Sequence, residues 1–226
     1  LSSSSAASDV YKRQLQNPFT AICSDADAAV LLSLGRAPVE LTAQQVHRLV
    51  AGPSLSSVRR SLERLARTGV VHERVLGQAR GYSLNQHHLL AGPIQEIAHA
   101  TEELYYRIAQ SLDDWPVSVA GCVLFGSAAR GEMGDSSDID LLILVDSESA
   151  AVQAENGAYE LSRQVEAWTG VPANVVVWTR GQENPGAILE NIAGEGKTIY
   201  GDPQEVRGIL RGIGGTTSGQ GEDRAS

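Results

Sequence analysis

The chain has 226 residues, 42% of them hydrophobic and 20% charged, and a formal net charge of −9. No run approaches the ~20 apolar residues that span a bilayer, and none has the apolar core of a secretory signal. A cytoplasmic protein without membrane contact is therefore the expectation, long enough to bury two small cores.

Charge is divided unevenly along the chain. Residues 15–90 carry eight arginines against five acidic residues, whereas residues 91–226 carry eight basic against twenty-one acidic ones. A basic block joined to an acidic one predicts two modules with different partners. Residues 1–14 are set aside, because Ser4-Ser5-Ala6-Ala7-Ser8-Asp9-Val10-Tyr11-Lys12-Arg13-Gln14 resembles the in-frame translation of a transposase-based sequencing-library adapter. On that reading it is an assembly scar, and the authentic chain starts near Leu15. Cys23 and Cys122 lie in apolar surroundings without metal-ligand spacing, as reduced core residues do.

Residues 15–88 read as three helices and a hairpin. Asp25 to Leu34 has a helical apolar pattern that Gly35 is expected to close. Thr42 is a good cap for a second helix carrying Val46, Leu49 and Val50. A third runs from about Ser54 to Thr68, with Leu55, Val58, Leu62 and Leu65 at helical intervals and Ser56, Ser57, Arg59, Arg60, Arg64 and Arg67 on the remaining surface. Val70 to Leu76 and Gly81 to Leu84 flank Gly77-Gln78-Ala79-Arg80, the pattern of a β-hairpin. This order resembles the winged helix-turn-helix domains of bacterial regulators. The resemblance implies that the third helix enters a major groove of double-stranded DNA through Ser57, Arg59 and Arg60, while Arg74 and Arg80 on the wing meet phosphate. The same arginines would also suit a solvated face on a protein-interaction module, since a net of +3 is modest for DNA. His47, His72, His87 and His88 show no ligand-like spacing.

Residues 89–114 are expected to form one connecting helix, started or kinked at Gly92-Pro93, before Trp115-Pro116 opens the next domain. Val117 to Phe125 is a nearly continuous β-prone run, as in a strand buried on both faces. It stops at Gly126-Ser127, where a missing Cβ lets backbone approach a ligand. The short segment through Arg130 offers free N–H groups, the Ser127 hydroxyl and a guanidinium to an anion. Ile139 to Val145 reads as the next strand, with Ser136 and Ser137 small enough for a tight entry. Side chains alternate along a strand, so Asp138 and Asp140 share a side. Alone, Asp-x-Asp is most often a solvated strand end. Following strand, Gly-Ser and Arg-Gly-Glu, it is a pair of hard oxygen ligands beside a phosphate cradle, the set that Mg²⁺ uses.

Gly126 to Ile143 resembles the signature of the polymerase-β-like nucleotidyltransferase superfamily in its minimal prokaryotic form. The resemblance implies a mixed sheet flanked by helices, Mg²⁺ dependence, and transfer of NMP from an NTP with release of pyrophosphate. It assigns Gly126, Ser127 and Arg130 to the triphosphate and Asp138 and Asp140 to the metal. The family usually adds a third carboxylate on a neighbouring strand. After the helical stretch Ala151 to Thr169, the matching segment is Pro172 to Trp178, and there Asn174 stands in its place. An amide brings no negative charge and cannot act as a base.

Ala187 to Ala193 reads as a short helix and Thr198-Ile199-Tyr200 as a last strand. Residues 202–226 are expected to be a largely disordered tail. The fold class is thus α+β: an N-terminal winged helix-turn-helix (15–88) and a C-terminal nucleotidyltransferase-type mixed β-sheet flanked by helices (115–201). The leading function is a nucleotidyltransferase using ATP, Mg²⁺ and a hydroxyl acceptor. Its rivals are a DNA-binding regulator that only senses nucleotide, and an antitoxin that binds a HEPN-type toxin. A homodimer is compatible with the front module.

Overall fold

The computed structural model describes residues 16–50, 52–77, 79–133, 137–180 and 188–214. The chain divides into two compact units, residues 1–103 and 104–226. The expected adapter stretch lies outside the described residues.

In the first unit a 3₁₀ turn (Pro18–Ala21) leads into α1 (Asp25–Arg36), β1 (Leu41–Thr42), α2 (Ala43–Leu49), α3 (Leu55–Arg67), β2 (Val71–Leu76), β3 (Ala79–Leu84) and α4 (Ala91–Ala98). Three of the four helix starts, those of α1, α2 and α3, are closed by a capping side chain. The Ser24 hydroxyl accepts from the Asp27 N–H, Ser54 from Ser57, and Thr42 forms a reciprocal capping box with Gln45. The apolar stripe of α3 (Val58, Leu62, Leu65) is buried with Phe19, Val30, Leu34, Val46, Val71, Tyr82 and Leu84, leaving Arg59 and Arg60 exposed. The strands form an antiparallel sheet in the order β1-β3-β2, with Val71 opposite Leu84 and Val75 opposite Arg80.

Two expectations are corrected here. Gly35 does not end α1; it is buried inside the helix against Ile94 and Ala98 of α4, and α1 ends where Pro38 disfavours helix at Ala37. Residues 89–114 are two helices rather than one, α4 and then α5 (Ala100–Asp113). They part at His99. Ala98 belongs to the core of the first unit, and the division between units falls four residues into α5.

The second unit continues with β4 (Val119–Phe125), α6 (Gly126–Arg130), β5 (Ile139–Val145), α7 (Glu148–Thr169), β6 (Ala173–Thr179), α8 (Ile188–Glu195), β7 (Lys197–Tyr200) and α9 (Pro203–Gly214). The sheet order is β6-β5-β4-β7, with β5 and β6 parallel and β4 antiparallel to both β5 and β7. β5 is the spine: six of its seven residues are buried, and Asp140 is the exception. Parity sorts the faces. Leu142 and Leu144 join Val123 against Ile192 of α8 and Val206 and Leu210 of α9, the same side that Asp140 takes. α7 packs on β5 and β6 with Ala154, Leu161 and Val165 buried.

The expected tail at 202–226 is corrected for its first part. Residues 203–214 form α9, started by the Asp202 carboxylate accepting from the Gln204 and Glu205 N–H groups. Val206, Ile209 and Leu210 recur at helical spacing and are buried. Residues 215–226 lie outside the described residues.

One polar lock joins α1 to α3. Asp27 accepts hydrogen bonds from Ser61 and Ser24 and pairs with Arg64. Burial alone would raise its carboxyl pKa, but the hydrogen bonds from Ser61, Arg64 and Ser24 prevail and hold it below the ordinary Asp value. Such a group stabilises the fold above its unfolded pKa and loses that contribution as pH falls through the lowered folded value. Asp27→Asn is expected to cost about 2 kcal/mol at neutral pH and to flatten the acid side of the stability profile. Urea denaturation across an acidic pH series checks both.

Candidate functional site

The site grows out of the ends of three adjacent strands. Phe125 of β4, Asp140 of β5 and Asn174 of β6 stand in one row of the sheet, since Asp140 is the register partner of both its neighbours. Beyond Phe125 the backbone turns through Gly126 at φ +68°, a left-handed conformation that favours glycine. A Cβ built on Gly126 would lie 2.6 Å from Oδ2 of Asp140. The turn and the carboxylate therefore abut, and a side chain at position 126 would have to push the Asp140 carboxylate aside.

Asn174 reaches the other carboxylate oxygen, its Nδ2 lying 3.5 Å from Asp140 Oδ1, at the long limit of a hydrogen bond. Burial pushes the Asp140 carboxyl pKa up, the Asn174 contact opposes this, and the nearby Asp138 charge raises it again. Asp138 itself is exposed, two residues ahead on the approach to β5. A dication between the pair would relieve both the burial and the repulsion. Among the described residues no group of three or more His, Cys, Asp and Glu converges as a complete metal site. Two carboxylates alone suit Mg²⁺, which takes one or two from protein and the rest from phosphate and water.

Ser127 and Arg130 lie on α6, where the Ser127 carbonyl accepts the Glu132 N–H at 2.9 Å and Gly131 (φ +71°) ends the helix. Arg130 is engaged by carboxylates: Nε donates to Glu132 at 2.9 Å and Nη1 to Glu195 at 3.1 Å. Sequence reasoning missed both partners. Glu132 was visible within Arg-Gly-Glu, whereas Glu195 reaches Arg130 only because α8 returns to α6. Ser136 lies outside the described residues.

The residues expected to face DNA all belong to the first unit. Arg59 and Arg60 are exposed on α3, and Arg60 Nη2 lies 3.4 Å from the Ser57 hydroxyl. Arg80 on β3 is paired with Glu73 of β2.

Residues 106–196 match the family model of the nucleotidyltransferase domain. The match contains Gly126, Ser127, Arg130, Asp138, Asp140 and Asn174, so a nucleotidyltransferase domain holds the whole row just described. No curated protein matches the chain. Among solved structures, a toxin–antitoxin complex with AMP-PNP is 19% identical over 48% of this chain and 82% of its own, with a TM-score of 0.37. A tri-AMPylated Shewanella oneidensis HEPN toxin in complex with an MNT antitoxin is 16% identical over 50% of this chain and 83% of its own, with a TM-score of 0.36. At those scores neither likeness bears on the assignment.

Gly126→Ala is expected to cost about 1–2 kcal/mol in left-handed strain, with more from displacing the Asp140 carboxylate. Asp140→Asn should act in the opposite sense. A carboxyl whose folded pKa is raised favours the fold when protonated and loses that advantage as pH rises through the folded value. Removing the charge should raise the melting temperature at neutral pH. Thermal melts of both variants test the pair.

Proposed function

We propose that the chain is a nucleotidyltransferase that moves an NMP group, from ATP as first candidate, to a hydroxyl acceptor with Mg²⁺. The observation that carries this reading is the abutment of the Asp140 carboxylate on the Gly126 turn within the nucleotidyltransferase match. Asp138 and Asp140 would hold the metal, which when bound supplies charge neutralisation on the phosphate oxygens. Gly126 and Ser127 would take the triphosphate by close backbone approach, with Arg130 as a further donor. Asp140, fixed by its place in β5, would set the α-phosphorus relative to the acceptor. The acceptor oxygen forms the new bond to that phosphorus as the bond to the bridging oxygen breaks and pyrophosphate leaves. The acceptor proton would pass to solvent water, because on β6 the amide Asn174 stands where a carboxylate would take it.

A second reading is favoured by that same amide in register with Asp140. Here the domain binds nucleotide without turning it over, and the chain is a DNA-binding regulator or antitoxin. The first unit would then be a winged helix-turn-helix, with α3 (Ser57, Arg59, Arg60) in the major groove and the hairpin that carries Arg80 beside it.

Label transfer from ATP labelled at the α-phosphate, with Mg²⁺ and peptide or small-molecule hydroxyl acceptors, separates the readings. Transfer that falls at least ~100-fold in Asp138→Asn and Asp140→Asn supports the enzyme. Asn174→Asp is expected to raise the rate by about 10- to 100-fold, in the range of general-base contributions. Nucleotide binding without transfer, in the unaltered chain and in Asn174→Asp alike, would establish the sensor instead.

A further inference from the structure

The first unit draws its positive charge from arginine, and its arginines fall into two groups. Arg36 pairs with Glu102, Arg64 with Asp27, Arg74 with Glu40 at 3.7 Å, and Arg80 with Glu73. Arg48 on α2 and Arg59, Arg60 and Arg67 on α3 have no ion pair among the described residues. The outer face of α3 carries its three against one exposed carboxylate, Glu63. On the hairpin and its flank, Arg74 and Arg80 are matched by Glu73 and Glu40, a balance of zero.

Opening an exposed pair costs little, so hydrogen bonding alone would not keep Arg80 from a phosphate. The remaining charge would. If Arg80 swings to a phosphate it leaves Glu73 bare on the adjacent strand, diagonal to it in the sheet, since Val75 is the partner of Arg80 and Tyr82 that of Glu73. Attraction gained by the guanidinium is offset by repulsion from the carboxylate at similar range. On α3 no such cancellation holds, apart from Glu63.

We propose that, given the DNA reading of this unit, the duplex is held electrostatically by the unpaired arginines of α2 and α3, Arg48, Arg59, Arg60 and Arg67, and that Glu73 and Glu40 silence the hairpin. Four phosphate contacts correspond to a slope of about −4 in the logarithm of affinity against the logarithm of salt. The partner is thus double-stranded DNA bound weakly through two helices, with the hairpin serving to shape the unit.

The experiment is fluorescence anisotropy of the full chain with a labelled random-sequence duplex, titrated over a series of NaCl concentrations. Arg59→Gln and Arg60→Gln should each reduce the slope by about one, Arg80→Gln should leave it unchanged, and Glu73→Gln should steepen it by about one. These side chains lie on the surface, and circular dichroism melts verify that each variant folds. An Arg80→Gln variant that loses as much slope as Arg60→Gln overturns the inference, as does a Glu73→Gln variant that gains none. Absence of salt-dependent binding by the unaltered chain would remove the DNA reading itself, and this inference with it. Binding that persists with the wrong variant pattern removes this inference alone.

Discussion

A carboxylate and a glycine compete for one volume at the end of β4 and β5, and the candidate site depends on how that competition is resolved. Asp140 projects from the most buried strand of the sheet toward a backbone turn that has no side chain to meet it. The turn needs its left-handed Gly126, and Asp140 needs the space that Gly126 leaves. Neither residue has a purpose in the core. Leu142 and Leu144 follow on the same face as apolar packing, so one position earlier in that alternation an acid stands where a leucine would stabilise more. Burial raises the pKa of Asp140, so a charged carboxylate stands there at some cost to the fold.

The arrangement around Asp140 has a graded polarity. Phe125 borders it on one strand, Asn174 on the other, and Asp138 stands on the solvent side. Two charges and an amide make a site poorer in negative charge than three acids would. A metal held there would depend more on the oxygens of its nucleotide, which couples ion and ligand. That coupling serves either transfer or sensing, and it explains why one amide leaves both readings physically coherent.

Much of this was legible in the sequence because local signals agreed. Ile139 to Val145 alternates an acid into an otherwise apolar run, and Gly-Ser ends its neighbour. Ser54 and Thr42 announced their helices by capping chemistry. What stayed hidden was long-range. Gly35 looked like a helix stop, and only the approach of Ala98 shows why glycine sits inside α1. Arg130 looked available to phosphate, and nothing near it in the chain signals Glu195. The break at His99 interrupts an apolar periodicity that reads straight through, because Ala98 and Leu104 serve different cores. α9 was obscured by the glycine-rich composition that follows it.

That last helix has a bearing on where the second unit ends as a cooperative body. The family match stops at residue 196, yet Val206 and Leu210 close the apolar face formed by Val123, Leu142 and Leu144. Cutting the polypeptide at the homology boundary would strip a lid of hydrocarbon from Val123, Leu142 and Leu144, and water would reach the face of the sheet that Asp140 shares. The evolutionary module and the thermodynamic one are not the same length.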